Sequence, residues 1–190
     1  GINKWIPITK KAVDTQGLAG ELRSGEAYSA RELLKIMLLT SSNDAAAAFE
    51  EYLGGKEAMV RAIHKKANEL GMNSIVINDG SGLSDFNFGN AHDFLTLTEY
   101  IIKKHPEIFT WTQAHDFLVQ PLNESTSRKV YNINKLIERY DFWGGKTGTS
   151  KAAGENLVSI FNIEGRRVVV ILMGSNHRYK DADTLVNWVK

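Results

Sequence analysis

The sequence has no cysteine, which excludes a disulfide framework, a thiolate metal site and a cysteine nucleophile. Proline is scarce, at 3 in 190 residues, and there is no low-complexity tract, so the chain is neither disordered nor fibrous. An excess of one charge is also missing: 23 Lys and Arg against 22 Asp and Glu leave a net charge of +1. That balance gives no general pull toward nucleic acid or an anionic membrane surface. The longest strongly apolar stretch, Val168 to Met173, falls far short of a membrane span. No basic start followed by an apolar core opens the sequence, so no signal peptide is read in it. The five histidines form no His-x-His or His-x-x-x-His pair, which argues against zinc, and nothing calls for another metal or a cofactor. A G-x-S-x-G nucleophile elbow is absent as well.

What is present is 43% apolar residues, enough for one domain with a substantial core. Trp5 to Thr9 reads as a short extended piece. Ser29-Ala30-Arg31-Glu32 has the form of a capping box, in which two side chains satisfy orphan amides reciprocally. The helix it opens carries Leu33, Leu34, Met37 and Leu38 on one stripe and breaks at Thr40 to Asp44. A second helix runs from Ala45 to Tyr52. A third, from about Lys56 to Leu70, has Met59, Val60, Ile63 and Ala67 at helical spacing, with Gly71 as its stop. Residues 73–90 form a long irregular stretch, and a fourth helix starts near Ala91 and ends before Pro106. From Phe109 to Asn134 the pattern is short strands and turns. Leu157 to Ile163 and Arg167 to Gly174 read as a hairpin joined at Glu164-Gly165. A closing helix covers Asp181 to Lys190. Helices first, then a hairpin and a helix, give an α+β fold in a single domain. Residues 27–108 form its mostly helical region, and 109–190 its sheet region with the C-terminal helix.

Two strings carry the chemistry. Ser41-Ser42-Asn43 lies at the break between two helices, where Ser and Asn are also ordinary helix caps. Gly144-Gly145-Lys146-Thr147-Gly148-Thr149 stands just before a strand pattern, where a lone Lys is usually a solvated charge. It is not a phosphate-binding loop, because the G-x-x-x-x-G-K-[ST] spacing is missing. Taken together, Ser-x-Asn between helices and Lys-Thr-Gly on a strand are two thirds of the penicillin-binding-protein signature.

The sequence here resembles the serine D-alanyl-D-alanine carboxypeptidases, the low-molecular-mass penicillin-binding proteins. The likeness extends through Glu32-Leu33-Leu34, Asn43-Asp44-Ala45-Ala46, Lys66 to Met72, Gly82-Leu83, Ala153-Gly154 and Gly165-Arg166-Arg167. It implies a penicillin-binding-protein or serine β-lactamase-like fold, an antiparallel sheet flanked by helices beside a helical region. The family's first motif, Ser-x-x-Lys, is missing: no serine has Lys three positions on, and Thr126-Ser127-Arg128-Lys129 comes nearest. The resemblance therefore implies a chain truncated at its N-terminus, or a member without the nucleophile.

In the family's reaction a serine attacks the penultimate carbonyl of a peptidoglycan stem peptide ending in D-Ala-D-Ala, forming an acyl-enzyme. The resemblance gives Lys146 the substrate carboxylate, Thr147 and Thr149 hydroxyl hydrogen bonds to it, and the strand after Gly148 the peptide backbone. It gives Ser41 proton transfer to the leaving amine, and Asn43 the substrate amide. Arg178, after the last strand, is a further candidate for the carboxylate, against the plainer reading of a solvated arginine. Trp5, Trp111, Trp143 and Trp188 read as packing residues. The alternatives are a pseudoenzyme that holds the peptide without acylation and a serine β-lactamase. The implied partners are stem peptide or β-lactam and no nucleic acid, with membrane association only through segments not present here. The implied location is extracytoplasmic. In the family the nucleophile helix covers the sheet, so the hairpin is expected to expose an apolar surface. Self-association, or a companion N-terminal fragment, would cover it.

Overall fold

In the computed structural model, which describes residues 4–17 and 20–190, strand β1 (Trp5–Pro7) is followed by the short helix α1 (Lys10–Val13). β1 pairs antiparallel with β2 (Ala27–Ser29). Ser29 then caps helix α2 (Ala30–Thr40), its Oγ accepting from the Glu32 amide at 3.1 Å. Only half of the expected capping box forms. The Glu32 carboxylate accepts from Lys35 Nζ at 2.9 Å, because Lys35 lies one turn on along the same face. The buried stripe of α2 is also turned from the sequence reading. Leu33, Ile36 and Leu39 are fully buried, while Met37 and Leu38 face a cleft. Spacing alone cannot tell a core face from a cleft face when both are apolar.

After the Ser41-Ser42 reversal, α3 (Asn43–Tyr52) packs through Ala45, Ala46 and Ala48, whose small side chains let neighbouring backbones approach. Helix α4 (Lys56–Glu69) lies on the surface and buries only Ala67 fully. Residues 73–90 have no helix and a single bridge, Val76 with Phe88. Helix α5 (Ala91–Lys104) follows, capped by Asn90 Oδ1 on the Asp93 amide at 2.8 Å.

The next segment departs from expectation. Residues Glu107–Gln113 form helix α6, where short strands were expected from Phe109 onward. Aromatic and β-branched residues favour strands, but Pro106, at φ −58°, starts a helix that buries Phe109, Trp111 and Thr112. Strands β3 (Asp116–Val119) and β4 (Arg128–Tyr131) then pair antiparallel. Glu26, next to β2, is 1% exposed and accepts from the Arg128 guanidinium at 2.6 and 3.0 Å and from Tyr28 Oη at 3.1 Å.

The main sheet contains β5 (Phe142–Ser150), β6 (Gly154–Ile163) and β7 (Arg166–Ser175) in that order, all antiparallel. Glu164 and Gly165 both have positive φ, 49° and 77°, as the expected two-residue turn requires. Helix α7 (Arg178–Val189) covers one face through Ala182 and Val186, over Leu157, Phe161 and Val170. Burying a side chain such as Phe161 stabilises the fold by about 1.5–3 kcal/mol. A second core joins α2 and α3 to β1, β2, β3 and β4 through Ile6, Tyr28, Leu33, Ile36 and Val119. The two cores are separate clusters, and the cleft lies between them. Among the described residues no helix is long and apolar enough to cross a membrane.

Candidate active site

The site starts from a strained reversal. Ser41 ends α2 at φ 56°, ψ 39°, the left-handed region that costs a non-glycine residue about 1–2 kcal/mol. Its neighbours hold it there. Ser42 Oγ accepts from the Ala45 amide at 2.9 Å and starts α3 at once. Asp44, 2% exposed, takes the Ser42 hydroxyl and accepts from the Gly20 amide at 2.9 and 3.1 Å. A Cβ at Gly20 would lie 2.6 Å from Ile36 Cγ2 and 2.7 Å from Ser42 Oγ, so only glycine lets this strap press on the reversal. Asp44 belongs to the string that carries the likeness, but its bond to Gly20 has no signal in the sequence, since it spans 24 residues that include β2 and α2.

Across the cleft, β5 presents Lys146 from mid-strand rather than from a turn before it. Two glycines allow this. A Cβ at Gly144 would meet Phe109 O of α6 at 2.7 Å, and one at Gly145 would meet Val158 O at 2.4 Å. Thr112 Oγ1 accepts from the Gly145 amide at 3.0 Å and so fixes the strand against α6. Lys146 Nζ donates to Ser41 Oγ at 2.7 Å, joining residues 105 apart in the chain, and to Thr147 O at 2.5 Å. Burial, and then the positive charge of Arg178, push the Lys146 ammonium down to a pKa of about 8.

Arg178 is not the solvated side chain of the plainer reading. Its Nη1 donates to Gly148 O and Thr149 Oγ1, both at 2.7 Å, and to Asn156 O at 3.3 Å. Its Nε is buried without a partner. Its place depends on α7 starting directly after β7, with Glu155 accepting from the Arg178 amide at 2.9 Å. Among the described residues neither Lys146 nor Arg178 forms an ion pair.

Ser41, Asn43, Lys146, Thr147, Gly148, Thr149 and Arg178 all line one cleft of about 480 Å³, walled opposite by Gly82 and Leu83. Asn43 Nδ2 is engaged by Gln16 O at 3.0 Å, and a Cβ at Gly17 would lie 1.9 Å from it. Of the tryptophans, Trp111 is buried, and Trp143 packs on Phe109 at 5.7 Å with the Arg167 guanidinium 4.0 Å from its ring centre. Trp5 and Trp188 are exposed, at 62% and 84%, and do not pack as expected. Sequence reasoning missed Leu83, Met37 and Leu38 as cleft residues, since each reads as an ordinary apolar position.

An apolar groove of about 310 Å³ opens from the same β5 residues, lined by Ile77, Phe88, Phe94, Val158, Ile171 and Met173. The hairpin therefore does present apolar surface, as expected. Among the described residues β7 pairs only with β6, so its other edge carries free amides and carbonyls.

Two unneutralised cations beside threonine hydroxyls and an open strand edge suit a carboxylate on an extended peptide. The Ser41–Lys146 pair can move a proton. What it lacks is a nucleophile of the Ser-x-x-Lys type, which these residues do not contain.

The family profile described as D-alanyl-D-alanine carboxypeptidase matches residues 3–177. The chain is 30% identical over 186 residues to a D-alanyl-D-alanine endopeptidase of Escherichia coli, covering 93% of this chain and 59% of the relative. It is 30% identical over 177 residues to a D-alanyl-D-alanine carboxypeptidase of Mycobacterium tuberculosis, covering 88% and 60%. The crystal structure of a D-alanyl-D-alanine carboxypeptidase from Mycobacterium tuberculosis superposes with a TM-score of 0.88 at 26% identity, over 99% of this chain and 74% of that one. The chain thus spans about three fifths of the length of these curated relatives.

Proposed function

Because this chain belongs to the D-alanyl-D-alanine carboxypeptidase family, we propose that its cleft binds the D-Ala-D-Ala end of peptidoglycan stem peptides for serine-type carboxypeptidase chemistry. The observation that carries the proposal is the pair of unneutralised cations, Lys146 and Arg178, at the open edge of β5. A buried cation without a counter-ion is costly, and a substrate carboxylate relieves that cost. Thr147 and Thr149 add hydroxyl donors, and the Gly148–Ser150 edge pairs with the peptide backbone as an added strand. The Thr149 amide supplies half of an oxyanion hole, a donor typically worth about 2.7–4 kcal/mol to the transition state. Ser41, hydrogen-bonded to Lys146, passes the proton to the leaving amine. Asn43 holds the substrate amide once the Gln16 carbonyl gives way.

The attacking serine and its lysine belong to a companion Ser-x-x-Lys segment that packs into the apolar groove beside Lys146. The same groove binds nothing else of the described chain. β-Lactams, which imitate the D-Ala-D-Ala end, enter the same cleft, and the peptidoglycan substrate sets an extracytoplasmic location. The lack of Ser-x-x-Lys in these residues favours one further reading, a peptide-holding chain that never acylates.

Calorimetric titration with N-acetyl-D-Ala-D-Ala and with its C-terminal amide tests the binding claim. The free acid should bind at least tenfold more tightly, and equal affinities would refute a carboxylate site.

A further inference from the structure

The wall of the cleft facing Lys146 belongs to the 73–90 excursion, which has almost no backbone pairing of its own. Its shape comes instead from one side chain. The Asp79 carboxylate accepts from the amides of Gly82 and Leu83 at 3.1 Å and Ser84 at 3.2 Å. It also accepts from Ser81 Oγ at 2.8 Å and Asn87 Nδ2 at 2.7 Å. Five donors on one carboxylate close the loop over residues 79–87, and Asn87 Oδ1 locks its base by accepting from the Asn78 amide at 2.7 Å. The base is anchored to the helical region, with Gly80 N donating to Glu50 Oε1 at 2.7 Å. Gly82 sits at φ +81°, a turn conformation that glycine adopts without steric cost. Burial pushes the Asp79 carboxyl up, but the bonds from Asn87, Ser81 and the amides outweigh it and leave it below the usual range.

We propose that Asp79 is a positioning residue for the cleft, holding the Gly82–Leu83 wall against the Lys146–Thr149 strand so that a bound peptide is gripped on both sides. It never touches the peptide. It acts through the backbone of Gly82 and Leu83, which line the cleft opposite β5. An asparagine at 79 keeps the shape but has one acceptor oxygen, so it satisfies only part of the set, and alanine satisfies none. The inference rests on the peptide-binding function proposed above.

The test uses the 190-residue chain, nuclear magnetic resonance titration with diacetyl-Lys-D-Ala-D-Ala, and amide hydrogen exchange. Asp79→Ala should bind the peptide about tenfold more weakly, with Asp79→Asn intermediate, the scale expected when a charged acceptor is removed. Peptide-induced shifts at Lys146 and Thr149 should persist in both variants, while those at Leu83 disappear. Exchange at Leu83 and Ser84 should speed up in step with the loss of affinity. Unchanged affinity in both variants would overturn the inference, as would the joint loss of the Lys146 and Leu83 responses in Asp79→Asn. Failure of the unaltered chain to bind the peptide would contradict the function itself, and the inference with it.

Discussion

Raising the pH from about 7 to about 9.5 should weaken peptide binding by about 30-fold, through Lys146 alone. In the free chain the ammonium titrates near 8, because burial and the Arg178 charge both disfavour it. At pH 7 it is about nine-tenths charged, and at pH 9.5 only about one-thirtieth. A carboxylate binds the charged form and restores the pKa toward its ordinary value of about 10.4. Binding then takes up a proton between the two values, and affinity is full below about 8 and lost as the pH rises above it. The ratio of charged fractions gives the 30-fold, or about 2 kcal/mol. Folding responds in the opposite direction. The unfolded chain holds the Lys146 proton more tightly between about 8 and 10.4, so this residue favours the fold increasingly as the pH rises. Weaker binding therefore cannot come from unfolding at Lys146. No histidine lines the cleft, and Arg178 stays charged throughout. The assay is calorimetry with N-acetyl-D-Ala-D-Ala in two buffers of different ionisation enthalpy, which counts the protons taken up. Lys146→Met should bind weakly and without pH dependence. An affinity flat from pH 7 to 9.5 in the unaltered chain would refute the reasoning.

Removing the guanidinium in Arg128→Ala leaves Glu26 buried and unpaired, and should cost about 3–5 kcal/mol in urea denaturation. A replacement costing under about 1 kcal/mol would show that water reaches Glu26. Gly144→Ala drives a methyl against Phe109 O and should destabilise by about 1–3 kcal/mol, read by thermal melting, while Gly148→Ala, with only Asn156 Cβ near at 3.9 Å, should be tolerated. Arg178→Ala removes the second cause of the low Lys146 pKa, so the titration of the Lys146 ε-methylene resonance should move upward yet stay below the ordinary lysine value, because burial is the larger cause. A downward movement would contradict that electrostatic account.

Local rules carried the sequence reading a long way. The helices around Ser41 and the β6–β7 hairpin follow from caps, periodicity and a two-residue turn, all of which act over a few residues, and the two motif strings follow from a known signature. The misread parts depended on distant neighbours. Phe109 to Gln113 became a helix because Pro106 fixes its start and β5 takes its aromatic face. Leu38 turned to the cleft because Leu33 and Ile36 had the second core to fill, while Met37 lies between the two, packed against that core and lining the cleft. At the site, the two motif strings and the family resemblance pointed to Ser41, Asn43 and Lys146. Their chemistry came from placement: the left-handed turn at Ser41, the docking of Arg178 on β5, and the burial that lowers Lys146. Asp44, Gly20 and Asp79 act by accepting or admitting distant backbone, which no short pattern records.

In the proposed division of the chemistry, this chain binds the carboxylate and relays the proton, and a companion Ser-x-x-Lys segment provides the acylated serine. Intact-mass spectrometry after incubation with benzylpenicillin, with and without a companion segment bearing Ser-x-x-Lys, tests that division most directly. The 190-residue chain alone should keep its mass, and a penicilloyl adduct should appear only with the companion present, on its serine. A stable adduct on Ser41 of this chain alone would contradict the account.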